Sequence, residues 1–287
     1  MAERRLETVA DGLAFGEGPR WHDGSFWFSD MHGHRVLNLS PDGALTTVLD
    51  VPAQPSGLGW LPDGDLLVVS MTDRRVLRVH GDGSVTTHAD LSSLAPFHCN
   101  DMVVDGDGRA YVGNFGFDLY ASASTPVPTT LVLVEPDGTA RVAAADIRFP
   151  NGTVITPDGS TLIVGESFGQ CLTAFDVAPD GALSNRRLWA QLEEGAAPDG
   201  ICLDADGAVW VASPVSHAVL RVVEGGEVVE RVEVEGKRQA FACMLGGVDR
   251  TTLYVLTAST SIAAKCQARR DGRVETVAVE VPGAGWP

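Results

Sequence analysis

Residues 151–164 read NGTVITPDGSTLIV. A polar pair opens the stretch, a short apolar run follows, P-D-G interrupts it and a second apolar run closes it. Proline presets φ, and Asp-Gly supplies a residue that tolerates positive φ. The stretch therefore reads as strand, tight turn, strand. The pattern recurs. Residues 17–28 read EGPRWHDGSFWF, 56–69 SGLGWLPDGDLLVV, 100–112 NDMVVDGDGRAYV and 199–211 DGICLDADGAVWV. Residues 242–256, ACMLGGVDRTTLYVL, form a sixth unit in which Asp249-Arg250 replaces the D-G turn.

These units start 39 to 51 residues apart. After each, a small polar turn leads to a third strand. A further turn (Asp42-Gly43, Asp82-Gly83, Asp137-Gly138, Asp180-Gly181, Gly225-Gly226) leads to a fourth. Four-stranded units repeated at this spacing predict an all-β fold, a six-bladed β-propeller with a central channel, as one domain over residues 1–287. Helical periodicity is absent, and Leu183–Glu194 has room for one short helix at most. The N-terminal RLETVADGL and C-terminal RVETVAVEVP both read as strands. We expect them to meet in the sixth blade and close the ring, leaving no exposed sheet edge.

Composition narrows the function classes. The 287 residues carry a net charge of −17, which repels phosphate backbones and anionic membranes. No apolar run is long enough to span a bilayer, and the N-terminus lacks the apolar core of a signal peptide. The five cysteines are widely spaced, with no C-x-x-C. They read as small buried hydrophobes of a reducing compartment. The expectation is a cytoplasmic monomer or weak homo-oligomer that binds neither nucleic acid nor membrane.

One motif invites a catalytic reading. Residues 165–169, GESFG, match the G-x-S-x-G nucleophile elbow. That elbow needs a helix immediately after the serine. Alignment of the repeats instead puts Ser167 in the turn between the second and third strands of its blade, so the elbow reading fails on context.

A second constellation is stronger. The first residues of the six units are Glu17, Ser56, Asn100, Asn151, Asp199 and Ala242. In a propeller the first strand of each blade lines the channel, so these positions form a ring around the axis. Turn chemistry alone accounts for an isolated Asn-Gly or Asp-Gly. It does not account for Glu17, and two carboxylates at one channel mouth repel each other unless a cation lies between them. All-oxygen donors suit hard divalent ions, and so few protein ligands leave positions open for substrate.

The segments FGEGPRW, NDMVVDGDGRAYVGN, PNGTVITPDG and PDGICLDADGAVWVA resemble the SMP-30/gluconolactonase/LRE family over essentially the whole chain. The resemblance implies a propeller that binds one divalent ion and hydrolyses lactones, other esters or organophosphates. By motif, it makes Glu17, Asn151 and Asp199 metal ligands. Asn100 becomes a further ligand that also touches water or substrate, and Asp199 becomes the general base acting on a metal-activated water. Calcium is the first candidate ion, with zinc, manganese and magnesium as alternatives. Sugar-lactonase members often carry a substrate-contacting arginine two residues before that Asn. Here His98 stands there, as a substrate contact or as a loop histidine, and the departure argues against a polyol substrate. Two long loops, Ala89–Cys99 and Asn114–Thr130, bring Phe97, Phe115, Phe117 and Tyr120 as material for an apolar wall or for packing beneath the loops. Other chemistries known on six-bladed propellers remain alternatives: phosphotriester hydrolysis, strictosidine-synthase-like reactions, and non-catalytic calcium binding.

Overall fold

The computed structural model describes residues 5–285. Among them, six antiparallel sheets of four strands form a six-bladed propeller. The inner strands are Gly16–His22, Pro55–Trp60, Cys99–Val104, Pro150–Ile155, Ile201–Leu203 and Gln239–Gly246, one for each of blades one to six.

The turns explain the recurring D-G. In blade four the Gly159 N–H donates to the Thr156 carbonyl at 2.8 Å, and the Ser160 N–H donates to the Asp158 carboxylate at 3.0 Å. Gly159 takes a φ of +71°. Aspartate thus satisfies the turn's spare donor while glycine accepts the left-handed backbone. Where the dipeptide is lost, Arg250 itself adopts φ +59°.

Both chain ends join blade six. Glu7–Leu13 is its outermost strand and pairs with Gly272–Ala278, from Glu7 opposite Thr276 to Leu13 opposite Gly272. The core is divided among the gaps between blades. Val103, Tyr111, Leu131, Leu162 and Phe175 fill the gap between blades three and four, and Trp210, Val219, Leu256 and Phe26 belong to a cluster joining blades five, six and one. All five cysteines are free thiols, four of them buried. Among the described residues, no helix is long and apolar enough to cross a membrane.

Two expectations change. Leu183–Gln191 is not a helix but the outer strand of blade four, paired with Cys171–Val177. Only Trp189 and Ala190 in it are buried, so no buried face imposes an alternating pattern. Among the described residues the one α-helix is Ala263–Arg269, inserted between the second and third strands of blade six.

Asn151-Gly152, which reads locally as a turn, lies inside the inner strand of blade four. Its glycine is required by the neighbouring blade. A Cβ on Gly152 would sit 2.3 Å from the Ile201 nitrogen, and one on Gly57 would sit 2.3 Å from the Met102 nitrogen. Closeness lets the inner strands bond to each other: the Gly152 N–H donates to Asp199 O at 3.0 Å, and the Gly200 N–H donates to Phe241 O at 2.8 Å. Gly152→Ala should therefore cost about 1–3 kcal/mol of unfolding free energy by overpacking. Gly81→Ala, at a site with open space around it, should stay within about 0.5 kcal/mol of wild type. Chemical denaturation of the two variants checks the contrast.

Candidate metal centre

The ring positions share a local construction. Glu17, Ser56, Asn100 and Asn151 are each the second residue of their inner strand, and Asp199 lies just before its own. Three of the leading segments are held by an acceptor at the end of the blade's second strand. Asp30 accepts from the Ala14 and Phe15 amides, both at 2.9 Å, ahead of Glu17. Glu166 accepts from the Arg148 amide at 2.8 Å, ahead of Asn151. Ser213 accepts from the Ala197 amide at 3.2 Å, ahead of Asp199. Arg35 and Arg186 neutralise Asp30 and Glu166. Backbone hydrogen bonds thus fix the three oxygen-bearing side chains before any ligand arrives.

The side chains converge. Ser56 Oγ donates to Asn100 Oδ1 at 3.3 Å, and Asn100 Nδ2 donates to Asn151 Oδ1 at 3.1 Å. The Asn151 amide donates to Ser167 Oγ at 3.2 Å and also hydrogen-bonds the Asp199 carboxylate. Ser167 in turn donates to Pro198 O at 2.7 Å. It therefore sits in a turn, as its place in the repeat predicts, and braces Asn151 and the segment entering Asp199.

Glu17 is buried, and Asp199 keeps partial exposure at the floor of a cleft. Among the described residues neither takes part in an ion pair. Arg20 lies three residues beyond Glu17, but it is buried against Asp101 at 3.3 Å and donates to the Pro19 and Met102 carbonyls. Burial pushes the Glu17 carboxyl well above the usual carboxylate range, and the charges on Asp199 and Asp101 push it further, against a hydrogen bond from Gly18. Loss of water likewise raises Asp199, to about 8, with the Asp101 charge adding and the Asn151 hydrogen bond opposing. Uncompensated carboxylates beside neutral amide oxygens fit a hard divalent cation. Glu17, Asn151 and Asp199 could hold one, with Asn100 alongside. Among the described residues there is no cluster of three or more His, Cys, Asp or Glu arranged to hold a metal. Half of this donor set is amide.

The cleft above the ring is a cavity of about 250 Å³, reached by Glu17, Asn100, Asn151 and Asp199. The loop after Asn114 contributes Phe115 and Tyr120 to its wall, together with Leu119. Phe117 packs instead on Phe149 and Phe168, with ring centres 5.9 and 5.8 Å away. His98 does not line the cavity. Its ring stacks on Phe97 at 4.1 Å and lies 6.0 Å from Phe115 and 6.3 Å from Tyr120. Burial lowers its pKa, and its Nδ1 has no hydrogen-bond partner. The sequence reading missed His32, Phe15, Phe149, Phe241 and Gln239, all on the cavity wall. His32 occupies the same blade turn as Ser167, so the repeat alignment held a signal for it. The phenylalanines looked like ordinary core.

A six-bladed propeller whose inner strands bring Glu17, Asn100, Asn151 and Asp199 to the floor of one cleft defines the class. The chain belongs to the SMP-30/Gluconolactonase/LRE-like family, whose model matches residues 15–259. It is 27% identical over 266 residues to regucalcin of Gallus gallus, covering 90% of this chain and 88% of that one. It is 25% identical over 294 residues to the 6-deoxy-6-sulfogluconolactonase of Pseudomonas putida, covering 100% and 99%. The solved structure of a calcium-binding protein, regucalcin of Agrobacterium tumefaciens, superposes with a TM-score of 0.81 at 22% identity, covering 100% of this chain and 96% of that one.

The raised carboxyls make a prediction for the metal-free protein. A carboxyl with a folded pKa above its unfolded value stabilises fully below the unfolded pKa, and that stability is lost as pH rises through the folded pKa. For Asp199 the window runs from about 4, the ordinary aspartate value, to about 8. In EDTA, the melting temperature of Asp199→Asn relative to wild type should climb across that window. Calcium should narrow the gap. A gap independent of pH would mean that the Asp199 carboxylate is not strained by its surroundings.

Proposed function

We propose that this protein is a divalent-cation-dependent hydrolase that opens lactones or related small carboxylic esters. The observation that carries the reading is the pair of uncompensated carboxylates, Glu17 and Asp199, set beside two amides on the floor of a cleft large enough for a small ring. A protein that only bound partners would have no use for charges so unfavourably placed. Membership of a family that includes proteins named as lactonases supports the substrate class.

Glu17, Asn151 and Asp199 would hold the cation, with Asn100 beside it. Calcium is the first choice, in keeping with the hard oxygen donors and with the calcium-binding neighbour. When bound, the ion supplies Lewis acidity and positive charge against the oxyanion that develops at an attacked carbonyl. The protein's groups do the rest. Asp199 takes the proton from the attacking water; with the cation's charge beside it, its carboxylate is ionised at neutral pH. Asn100 has one amide hydrogen committed to Asn151, which fixes its plane. Its oxygen accepts from Ser56, which leaves the second amide hydrogen to orient the carbonyl or the water. Water attacks the acyl carbon, the ring C–O bond breaks, and the alkoxide leaving group receives the proton that Asp199 took from the water, so that the hydroxy acid forms and Asp199 returns to its carboxylate. No covalent enzyme intermediate is needed, consistent with Ser167 being tied to Asn151 and Pro198.

Asp199→Asn preserves shape and one oxygen donor while removing charge and basicity. Turnover of a simple δ-lactone should fall about 10²–10⁴-fold at saturating Ca²⁺. EDTA should abolish the wild-type rate, and added divalent metal should restore it. Full activity after exhaustive chelation would refute the cation's role, and rescue of the Asn variant by excess metal would refute Asp199 as base.

A further inference from the structure

We infer that the substrate carries an apolar substituent, alkyl or aryl, in place of the polyhydroxylated body of a sugar lactone. The inference rests on the lactone-hydrolase reading of the ring and adds the chemistry of the rest of the ligand.

Two features of the cleft lead there. The first is a second lobe. Next to the cavity above the ring lies another of about 360 Å³, sharing Leu119, Phe149, Asn151, Asp199 and Pro214 with it. Its remaining wall includes Phe168, Pro198 and Val215. Phe149 stands between the lobes, stacked on Phe115 at 4.7 Å and meeting Phe168 edge-on at 5.0 Å. An acyl carbon placed over Asp199 directs the rest of its molecule along this aromatic surface. Phe168 is 47% exposed and Val215 59%. Large apolar side chains gathered in the open at the mouth of a site mark a surface that a ligand covers.

The second feature is the state of the polar groups. His32 has both ring nitrogens in contact with protein, Nε2 with Ser261 O at 3.2 Å and Nδ1 with the Gln54 amide at 3.4 Å. Gln239 donates to Pro214 O at 3.3 Å. The Asn100 and Asn151 amides are bonded to each other and to Ser56 and Ser167. The Tyr120 hydroxyl and Ser261 Oγ on the first cavity's wall and the Gln170 amide on the second's are the side-chain groups left to receive a ligand beside the carboxylates. The several hydroxyls of a sugar lactone outnumber what they can match in one pose, and an unmatched buried hydroxyl weakens binding severely. His98 does not line the cavity, and its ring stacks on Phe97 at 4.1 Å. The GESFG stretch also finds a use: Ser167 braces Asn151, and the adjacent Phe168 walls the second lobe.

The test is a chain-length series on the full-length protein with Ca²⁺ present. Unsubstituted δ-valerolactone, its δ-alkyl homologues from propyl to heptyl, and glucono-δ-lactone are compared as substrates. The matching δ-lactams, which resist hydrolysis, are compared as ligands by calorimetry. Affinity and kcat/KM should rise about fourfold per added CH₂ until the lobe is full, and the polyol should fall below the unsubstituted ring in both series. Phe168→Ala should flatten the slope, and Phe168→Leu should keep most of it. Since Phe168 is half exposed, neither change threatens folding. Preference for the polyol would overturn the inference and leave the lactone-hydrolase reading standing. A chain-length slope in lactam binding without hydrolysis of any lactone would sustain the apolar site and overturn the hydrolase reading. A flat series in both would overturn the inference.

Discussion

Glu17 and Asp199 repel each other in a place poor in water, and the fold holds them there. Burial raises both carboxyls, the Asp199 charge adds to Glu17 and the Asp101 charge to both, and Arg20, three residues beyond Glu17, is already taken by Asp101. Such an arrangement persists only if the surroundings over-determine it. The inner strands are locked edge to edge through Gly152 and Gly200. The segments leading to Glu17, Asn151 and Asp199 are pinned by Asp30, Glu166 and Ser213. The propeller concentrates unfavourable charge on its axis, and its rigidity prevents relaxation. A cation is the simplest relief.

The fold was legible because its signal is repeated. One strand–turn–strand unit is ambiguous by itself. Six of them, five with aspartate and glycine in the same place and the sixth with Asp249-Arg250, leave one architecture. Closure by the two chain ends followed from the same logic. Outer elements were less legible: Leu183–Gln191 is exposed on both faces along most of its length, so no buried face imposes the alternation that marks a strand, and the short helix Ala263–Arg269 has no repeat to announce it.

The ring was legible by register rather than by local pattern. Asn151-Gly152 reads locally as a turn, yet both residues lie in a strand. Only alignment with Glu17, a residue with no turn preference, separates the two readings. What escaped the sequence is what depends on the next blade over. Arg20 and Asp101 meet across blades, so neither shows its partner in the sequence. Phe15, Phe149 and Phe241 are spaced like core residues, and only the ring's closure turns them toward one cavity. His98 was visible as a departure from the family pattern, but its stacking on Phe97 was not.

Calorimetric titration of the chelated protein with Ca²⁺, in buffers of different ionisation enthalpy at pH 7, tests the central claim most directly. A cation that relieves two raised carboxyls must displace protons as it binds. The account predicts about one ion per chain, a binding enthalpy that varies with buffer because protons are released, and loss of most affinity in Glu17→Gln. Binding with no proton release and no response to Glu17→Gln, or no binding at all, would contradict it.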